Sequence, residues 1–577
     1  MAAHRGRWNL RLFTLAAIFA FGGLVLSVRV AYVQIIDHDH YKNEAREEHF
    51  GQQEIRAPRG AILDRNGYPL ATTVDAWDVF IDRADWRDLA TARRAADFIA
   101  PLINAAPEDL VNEVRKDDEG LYLAYAGLDF DKGVGLQDAE APGLRVVRTT
   151  ARFYPEGDLA STLLGFVGRE HTGLTGIEAD FDAELGGTPG TIYFERDSVG
   201  NKIALGTERI GKKPEPGGDI TLTIDRYIQR IVEGELESRL AATGALGGSI
   251  IVMDPKTGEI LAMASRPGFQ LSRLDLNNSD DSLFRNRAVT DVYEPGSVFK
   301  TLTAAIGVDQ GKLTPESTYY DEGVEYVGHS AIRNWDYSAN GRVSVTQILQ
   351  RSLNTGAVWM GEQVGPDVFY SYMKAFGVGE STGVGLGGDD GGLLRTNEDA
   401  AWSPEDLATN SFGQGIAASP LQVIAAIASL VNEGKLMRPY IVQEAQTPDG
   451  ARTFDPVVVR QVVKQETAAT VVDMMNRVVE GVPGHLAAVK GYHVGGKTGT
   501  TIGATLADGA VRDGNIASFI GFAPITDPSI IMLVKLDFRE DRLGGQVSAP
   551  VFAALAPRIL AYLGVMPEGP QLVATDR

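Results

Sequence analysis

Three short clusters in this chain carry residue types that can do chemistry. In EPGSVFKTLT, residues 294–303, Ser297 and Lys300 stand three apart, just after Pro295 and Gly296 break the backbone and as the apolar run VFKTLTAAIGV begins. That spacing puts both side chains on one face of a first helical turn. The free N–H groups and positive dipole end of such a turn favour a developing anion. A lysine desolvated by apolar neighbours loses basicity, so at neutral pH it can accept the serine proton as histidine does in a Ser–His pair. Alone the pattern is weak, because about one Ser-x-x-Lys is expected by chance in so long a chain, and its plain alternative is a capping serine beside a solvated lysine. Two further clusters follow in order: Ser352-Leu353-Asn354 at the end of a helical stretch, and Lys497-Thr498-Gly499-Thr500 on a strand candidate near the C-terminus. The ordered set, each part on a fitting element, is far rarer by chance than any one part.

The elements that must position these clusters can be read from periodicity. From residue 219 the texture is that of a compact α/β domain. ITLTID alternates apolar and polar residues, and RYIQRIVEGELESRL has helical spacing. SIIVMD (249–254) and EILAMAS (259–265) read as a hairpin joined by PKTG, and YHVGGKTG (492–499), IASFIGFAP (516–524) and SIIMLVKLD (529–537) as three later strands. VSVTQILQRSL (343–353), SPLQVIAAIASLVNEG (419–434) and a terminal APVFAALAPRILAYLG read as helices. Two strands early, three late and helices between predict one five-stranded antiparallel sheet with helices on both faces, an α/β (α+β) fold. Before residue 219 the chain is turn-rich, with patches at 58–71, 152–168, 173–187 and 214–219, β-like stretches such as TIYFERD, and one helix-like stretch, RDLATARRAADFIAPLI. We read 37–218 as an extended, mixed module bounded by the Pro/Gly cluster 214–218. Residues 219–566 then form the catalytic domain and 567–577 a tail.

Other motifs compete and fail. GYHVGGKT (491–498) satisfies the P-loop pattern, but a P-loop needs a helix immediately after it, and GTTIGATLADG has poor helix propensity. DHDH (37–40) could bind a metal, but beside an apolar span it reads as part of a solvated stalk. GVGESTGVGLGGDDGG (377–392) lacks a strand–turn–helix setting and reads as a surface loop. Glu294 lies close to the serine and can equally be ordinary loop charge. No cofactor or metal is implied.

The chain has 577 residues, 54 Lys+Arg against 76 Asp+Glu, a net charge of -22 and no cysteine. So acidic a surface repels phosphate backbones and argues against nucleic acid. The lack of cysteine excludes disulfides, iron–sulfur clusters and cysteine zinc sites. Residues 12–28, LFTLAAIFAFGGLVLSV, carry no charge and follow Arg5, Arg7 and Arg11. Extended past a snorkelling Arg29 through VAYVQII to residue 36, the run is long enough to cross a bilayer. The arginine bias predicts a single-pass inner-membrane protein with residues 1–11 cytoplasmic and the body exported. A cleaved signal peptide is the alternative, but no small-x-small cleavage site follows the apolar run.

S-x-x-K, S-x-N and K-T-G in this order form the signature of penicillin-recognising acyl enzymes. Over nearly its whole length the chain resembles the class B penicillin-binding proteins, membrane-anchored peptidoglycan transpeptidases. RVAYVQ, PRGAILDRNGYPLA, RFYPEGDLAS and GLTGIEADFD resemble the family's N-terminal pedestal, and GGDITLTID, MDPKTGEILAMASRPGF and RNRAVTDVYEPGSVFK the opening of its transpeptidase domain. SFGQGIAASPLQ (411–422) and GYHVGGKTGT are similar to the division-specific, septal branch more than to the elongation branch.

The resemblance implies that Ser297 attacks the penultimate D-Ala carbonyl of a stem peptide, with Lys300 as its base. It implies that Ser352 relays protons, Asn354 bonds the substrate amide and Lys497 supports the proton network. Thr498 and Thr500, flanking Gly499, would meet the terminal carboxylate, and the Ser297 and Thr500 N–H groups would form the oxyanion hole. β-Lactams would acylate the same serine. No nucleotide is needed, because the broken D-Ala–D-Ala bond supplies the energy. The chain departs from the motif only by Leu353 within S-x-N. No glycosyltransferase-like segment is evident, so the resemblance implies a separate polymerase, a polytopic SEDS glycosyltransferase, among the division proteins it contacts. A β-lactamase, an antibiotic sensor and a silent scaffold are the competing readings of such a site, and a D,D-carboxypeptidase side activity would follow if water replaced the acceptor amine.

Overall fold

The computed structural model describes residues 2–568 apart from 39, 43–49, 118, 140, 197–207, 272–279, 448–449 and 503–513. By contacts the chain divides into two units, Met1–Pro58 with Gly187–Pro216, and Arg59–Gly186 with Gly217–Arg577.

In the first unit a helix, Ala2–Ala31, runs on into a π-helical turn, Tyr32–Ile36. Its segment Leu12–Ile36 has 25 residues and a mean hydropathy of 2.0, and none of it is buried. At about 1.5 Å per residue that segment exceeds the ~30 Å hydrocarbon core. No other helix among the described residues is as long and apolar. This is the anchor of a single-pass membrane protein. The unit also holds a three-stranded antiparallel sheet of Phe50–Ile55, Gly190–Glu195 and Glu208–Lys212, in that spatial order.

The second unit is built on the expected five-stranded sheet. Its spatial order is Ile260–Arg266, Gly247–Met253, Ile530–Phe538, Asn515–Ala523, Gly495–Ile502, and every pairing is antiparallel. Successive side chains of a strand point to opposite faces, and here the alternation sorts them into two cores. Ile250 and Val252 join one core with the helices Arg226–Thr243 and Ala549–Tyr562. Ile251 and Met253 join the other with Lys300–Asp309, Pro420–Val431 and Gln465–Val479. Both faces being covered, the central strands Gly247–Met253 and Ile530–Phe538 read as nearly continuous apolar runs. All residues of the helix Pro420–Val431 are buried, and its start is set by Pro420 and a capping box between Ser419 and Gln422.

A second sheet joins distant parts of the chain. Ile62–Leu63 pairs in parallel with Ile220–Leu222, which pairs antiparallel with Val442–Thr447. On its other side Ile62–Leu63 pairs with Pro69–Asp82, which also pairs with Leu121–Asp129 and Leu144–Phe153. Next to this sheet Glu178, fully buried, is gripped by Arg59 Nε at 2.5 Å and Arg152 Nε at 2.6 Å, and Arg59 also meets Asp182 at 2.6 Å. Removing one charge from such a group leaves the others uncompensated away from water. Glu178→Gln is therefore expected to cost about 3 kcal/mol. The check is a lowered urea midpoint with an unchanged slope.

Candidate active site

The serine lies on a tighter turn than the sequence suggests. Gly296–Phe299 is a 3-10 turn, and the α-helix begins at Lys300. Residues three apart eclipse in a 3-10 turn, so Ser297 and Lys300 keep a common side. Gly296 has φ +59, and a Cβ there would stand 2.8 Å from Thr501 Oγ1 and 2.9 Å from the Thr500 carbonyl oxygen. A Cβ on Gly499 would stand 2.3 Å from Ser518 Oγ and 2.8 Å from the Pro295 carbonyl oxygen. Only glycine at both places lets the serine turn lie directly on the edge strand Gly495–Ile502. Thr501 Oγ1 donates to the Glu294 carbonyl at 2.8 Å, and Gly296 N–H donates to the Gly413 carbonyl at 3.0 Å. The Glu294 carboxylate accepts the Gly415 N–H at 3.0 Å, and burial raises its pKa. It is thus a brace for the 411–418 loop.

Two amines meet beneath the cleft. Lys300 and Lys497 are both essentially unexposed. Lys300 Nζ donates to the Ser352 carbonyl at 2.7 Å, to Asn354 Oδ1 at 2.8 Å and to Ser352 Oγ at 3.4 Å. Lys497 Nζ donates to the same Ser352 Oγ at 3.1 Å, and to Thr498 through its carbonyl at 3.1 Å and Oγ1 at 3.3 Å. Burial, and then the charge of Lys497, pull the Lys300 pKa well below 10.5. Burial brings Lys497 down to about 7. Ser352 can offer both its carbonyl and its hydroxyl to Lys300 because it sits left-handed, φ 56 and ψ 44, where the helix Val345–Arg351 ends. Such a conformation costs a non-glycine residue of the order of 1 kcal/mol and persists where surrounding contacts impose it.

Asn354 opens the next helix, Asn354–Val364, and its Nδ2 donates to the Arg333 carbonyl at 2.9 Å. Its backbone N–H donates to Asn334 Oδ1 at 3.0 Å, and Asn334 Nδ2 in turn donates to Asp321 Oδ2 at 2.9 Å. Burial would raise the pKa of Asp321, but hydrogen bonds from Asn340, Gly323 and Thr355 outweigh it and hold the carboxyl below its usual range. The orientation of Asn354 therefore rests on a buried, anchored carboxylate.

A cleft of about 600 Å³ opens above these groups. Gly296, Ser297, Ser352, Asn354, Thr498 and Thr500 line it, with Lys300, Lys497 and Gly499 directly behind. All eight residues singled out from the sequence are thus gathered at one place. Between Ser297 and Lys300 no hydrogen bond is drawn, and among the described residues the Ser297 hydroxyl has no partner, since Lys300 turns toward Ser352 and Asn354. Thr500 Oγ1 accepts the Gly544 N–H at 3.2 Å. The P-loop reading falls, because Lys497 and Thr498 lie within a strand rather than a loop before a helix.

Sequence reasoning missed several lining residues: Arg333, Trp335, Tyr337, Gln414 and His485. His485 Nδ1 accepts the Ala487 N–H at 3.2 Å, which leaves the proton on Nε2. Burial, then the Lys497 charge, lower its pKa. Its only sequence signal is position twelve residues before Lys497.

A serine turn laid against a sheet edge, with two buried amines of lowered basicity behind it, can perform acyl transfer through a serine ester. The penicillin-binding protein transpeptidase domain matches residues 248–556, and the penicillin-binding protein dimerisation domain matches residues 54–222. Stage V sporulation protein D of Bacillus subtilis is 34% identical over 559 residues, covering 95% of this chain and 85% of that protein. Peptidoglycan D,D-transpeptidase FtsI of Escherichia coli is 29% identical over 549 residues, 94% of this chain and 90% of its own. A crystal structure of penicillin-binding protein 3 from Mycobacterium tuberculosis, complexed with aztreonam, matches with TM-score 0.68 and 26% identity, over 91% of this chain and 100% of that one. The chain belongs to the penicillin-binding protein transpeptidases. It is an enzyme of the serine type, and its fold is theirs.

Proposed function

We propose that this peptidoglycan D,D-transpeptidase cross-links stem peptides of the septal wall, through an acyl-enzyme on Ser297 that β-lactams also form. The observation that carries the residue assignment is the convergence of two buried lysine amines on the Ser352 hydroxyl, beside a serine whose own hydroxyl has no partner among the described residues. Ser297 Oγ attacks the penultimate D-Ala carbonyl, and its proton passes to neutral Lys300. Asn354 aligns the peptide amide, and Thr498 and Thr500 receive the terminal carboxylate. The N–H groups of Ser297 and Thr500 hold the oxyanion. The C–N bond breaks, and the departing D-Ala nitrogen takes the proton by way of Ser352. An acceptor amine then attacks the ester, gives up a proton to Lys300, and that proton returns to Ser297 Oγ. Lys497 keeps the field positive and the Ser352 hydroxyl in place.

The septal role is supported by the likeness of SFGQGIAASPLQ and GYHVGGKTGT to the septal branch; the same reaction in the elongation machinery is the second reading. Arg5, Arg7 and Arg11 ahead of the span support a cytoplasmic N-terminus. The division into a pedestal, 37–218, and a catalytic domain, 219–566, belongs to this reading, as does a SEDS-type glycosyltransferase as the membrane partner that polymerises glycan.

Purified protein treated with benzylpenicillin is expected to gain the full mass of the antibiotic, because the opened ring keeps both halves, on the peptide containing Ser297. The adduct should persist, and it should be absent in Ser297→Ala. Rapid loss of the adduct would favour a β-lactamase, and no adduct on folded protein a silent scaffold. Depletion from growing cells separates the two machineries: smooth filaments support the septal role, and swollen cells that still divide support elongation.

A further inference from the structure

The cleft has a charge unlike that of the rest of the chain. Acids outnumber bases 76 to 54 overall, yet among the described residues no Asp or Glu lines the cleft, while Arg333, Arg351 and His485 do. The two arginines stand on the Asn354 side. The Arg333 carbonyl accepts from Asn354, and the Arg351 carbonyl accepts the Trp335 Nε1–H at 3.3 Å. Neither guanidinium has a carboxylate partner among the described residues; Arg351 Nη1 donates only to the Asn340 amide oxygen, at 3.1 Å. The nearest acid in sequence, Asp336, is occupied by the Ser338 N–H and hydroxyl. Arg226, Arg266 and Arg287 of this unit each pair with a carboxylate, whereas these two cleft arginines do not among the described residues.

Aromatic rings flank the same place. Trp335 is 57% exposed and Tyr337 is 77% exposed, and both line the cleft. Tyr337 is held at φ +58 in a turn closed by its N–H to the Asn334 carbonyl at 3.0 Å. Asn334 is the same residue that orients Asn354, so this rim is built on the site's own frame. Two forked donors and two exposed rings beside a reactive serine match a peptide that carries a carboxylate on an aliphatic stem. The terminal carboxylate of the donor does not explain them, since Thr498 and Thr500 lie on the edge strand while Arg333 and Arg351 belong to the Asn354 side.

We propose that Arg333, Arg351, Trp335 and Tyr337 form a second subsite, which binds a carboxylate of the stem peptide upstream of the scissile D-Ala–D-Ala bond. The proposal rests on the transpeptidase reading and adds to it a preference for acidic over amidated stems. The guanidinium forks hold the carboxylate, and the rings cover the aliphatic chain beside it and exclude water. With no Asp or Glu among its lining residues, the cleft sets no carboxylate against an incoming one at close range.

The test uses two thioester donors of equal length ending in the same acyl group, one with an acidic residue upstream and one with its carboxamide. Wild-type protein is expected to use the acidic donor about tenfold better in kcat/KM, in line with a charge-assisted hydrogen bond of about 1.4 kcal/mol. Arg333→Gln and Arg351→Gln should each reduce that ratio toward one, chiefly through KM. Because the readout is a ratio within one variant, a general loss of folded protein cannot mimic it. A wild-type enzyme that takes the penicillin adduct yet treats both donors alike would overturn the subsite and leave the transpeptidase reading intact. Variants that keep the full ratio would overturn it too. A wild-type protein that forms no adduct would instead fail the reading beneath it.

Discussion

Lys300→Met is expected to slow acylation by benzylpenicillin by at least about a thousandfold while the protein stays folded. The magnitude follows from what is removed: a positioned general base contributes about 10²–10⁴ in rate, and this one also holds Ser352 and Asn354. Methionine is close to lysine in length and carries no charge, so the buried stem keeps its packing. The loss of the amine unties the Ser352 carbonyl and Asn354 Oδ1 together, so the variant should lose more than a base alone would cost. The measurement is the second-order acylation rate by stopped reaction and intact mass, with the thermal midpoint as the control. A rate within tenfold of wild type would mean that Lys300 only braces the site and that the proton leaves Ser297 by another route.

The second large effect is on pH. A lysine accepts a proton only when neutral, that is, above its own pKa. Burial brings Lys497 to about 7, and burial together with the Lys497 charge carries Lys300 well below 10.5. The acylation rate should therefore be flat above the pKa of Lys300 and fall about tenfold per pH unit below it, on a limb displaced well to the acid side of an ordinary lysine. Removing the Lys497 charge takes away one of the two causes that depress Lys300. Lys497→Met should accordingly move the acid limb to higher pH, whatever it does to the plateau. His485 is the other titrating group at the cleft, and its pKa is lowered from 6.5. A limb that lies below pH 6 and disappears in His485→Gln would assign the profile to the histidine and contradict the amine pair.

The three clusters, their order and the strand or helix on or beside which each lies were legible because each depends on local pattern. The apolar runs of SIIVMD and SIIMLVKLD, the Ser–Pro start of the helix Pro420–Val431 and the apolar span Leu12–Ile36 all arise within a few residues of chain. Side-chain chemistry is equally local: a serine three residues before a lysine in an apolar run suggests a nucleophile and a base of lowered pKa, and the two later clusters in order make that suggestion specific. Even so, the sequence suggested a first α-helical turn where a 3-10 turn stands, because a left-handed glycine contact with Gly413 and the edge strand is not visible from spacing.

Long-range geometry set the rest. No periodicity announces that Ile62–Leu63 pairs with Ile220–Leu222 and through it with Val442–Thr447, since strands of two and three residues have almost no pattern of their own. Ser352 reads as an ordinary helix end, and its left-handed backbone is imposed by two lysines from other elements. Arg333, Trp335, Tyr337 and His485 carry no motif, because what makes them cleft residues is the packing of Asn334 on Asp321 and of the edge strand on the serine turn. Composition and local spacing thus mark the candidate reactive groups and the one apolar span long enough to cross a membrane. Which buried amine touches which hydroxyl, and which arginines line the cleft, depends on contacts between residues tens to hundreds of positions apart, and only the closed fold brings those together.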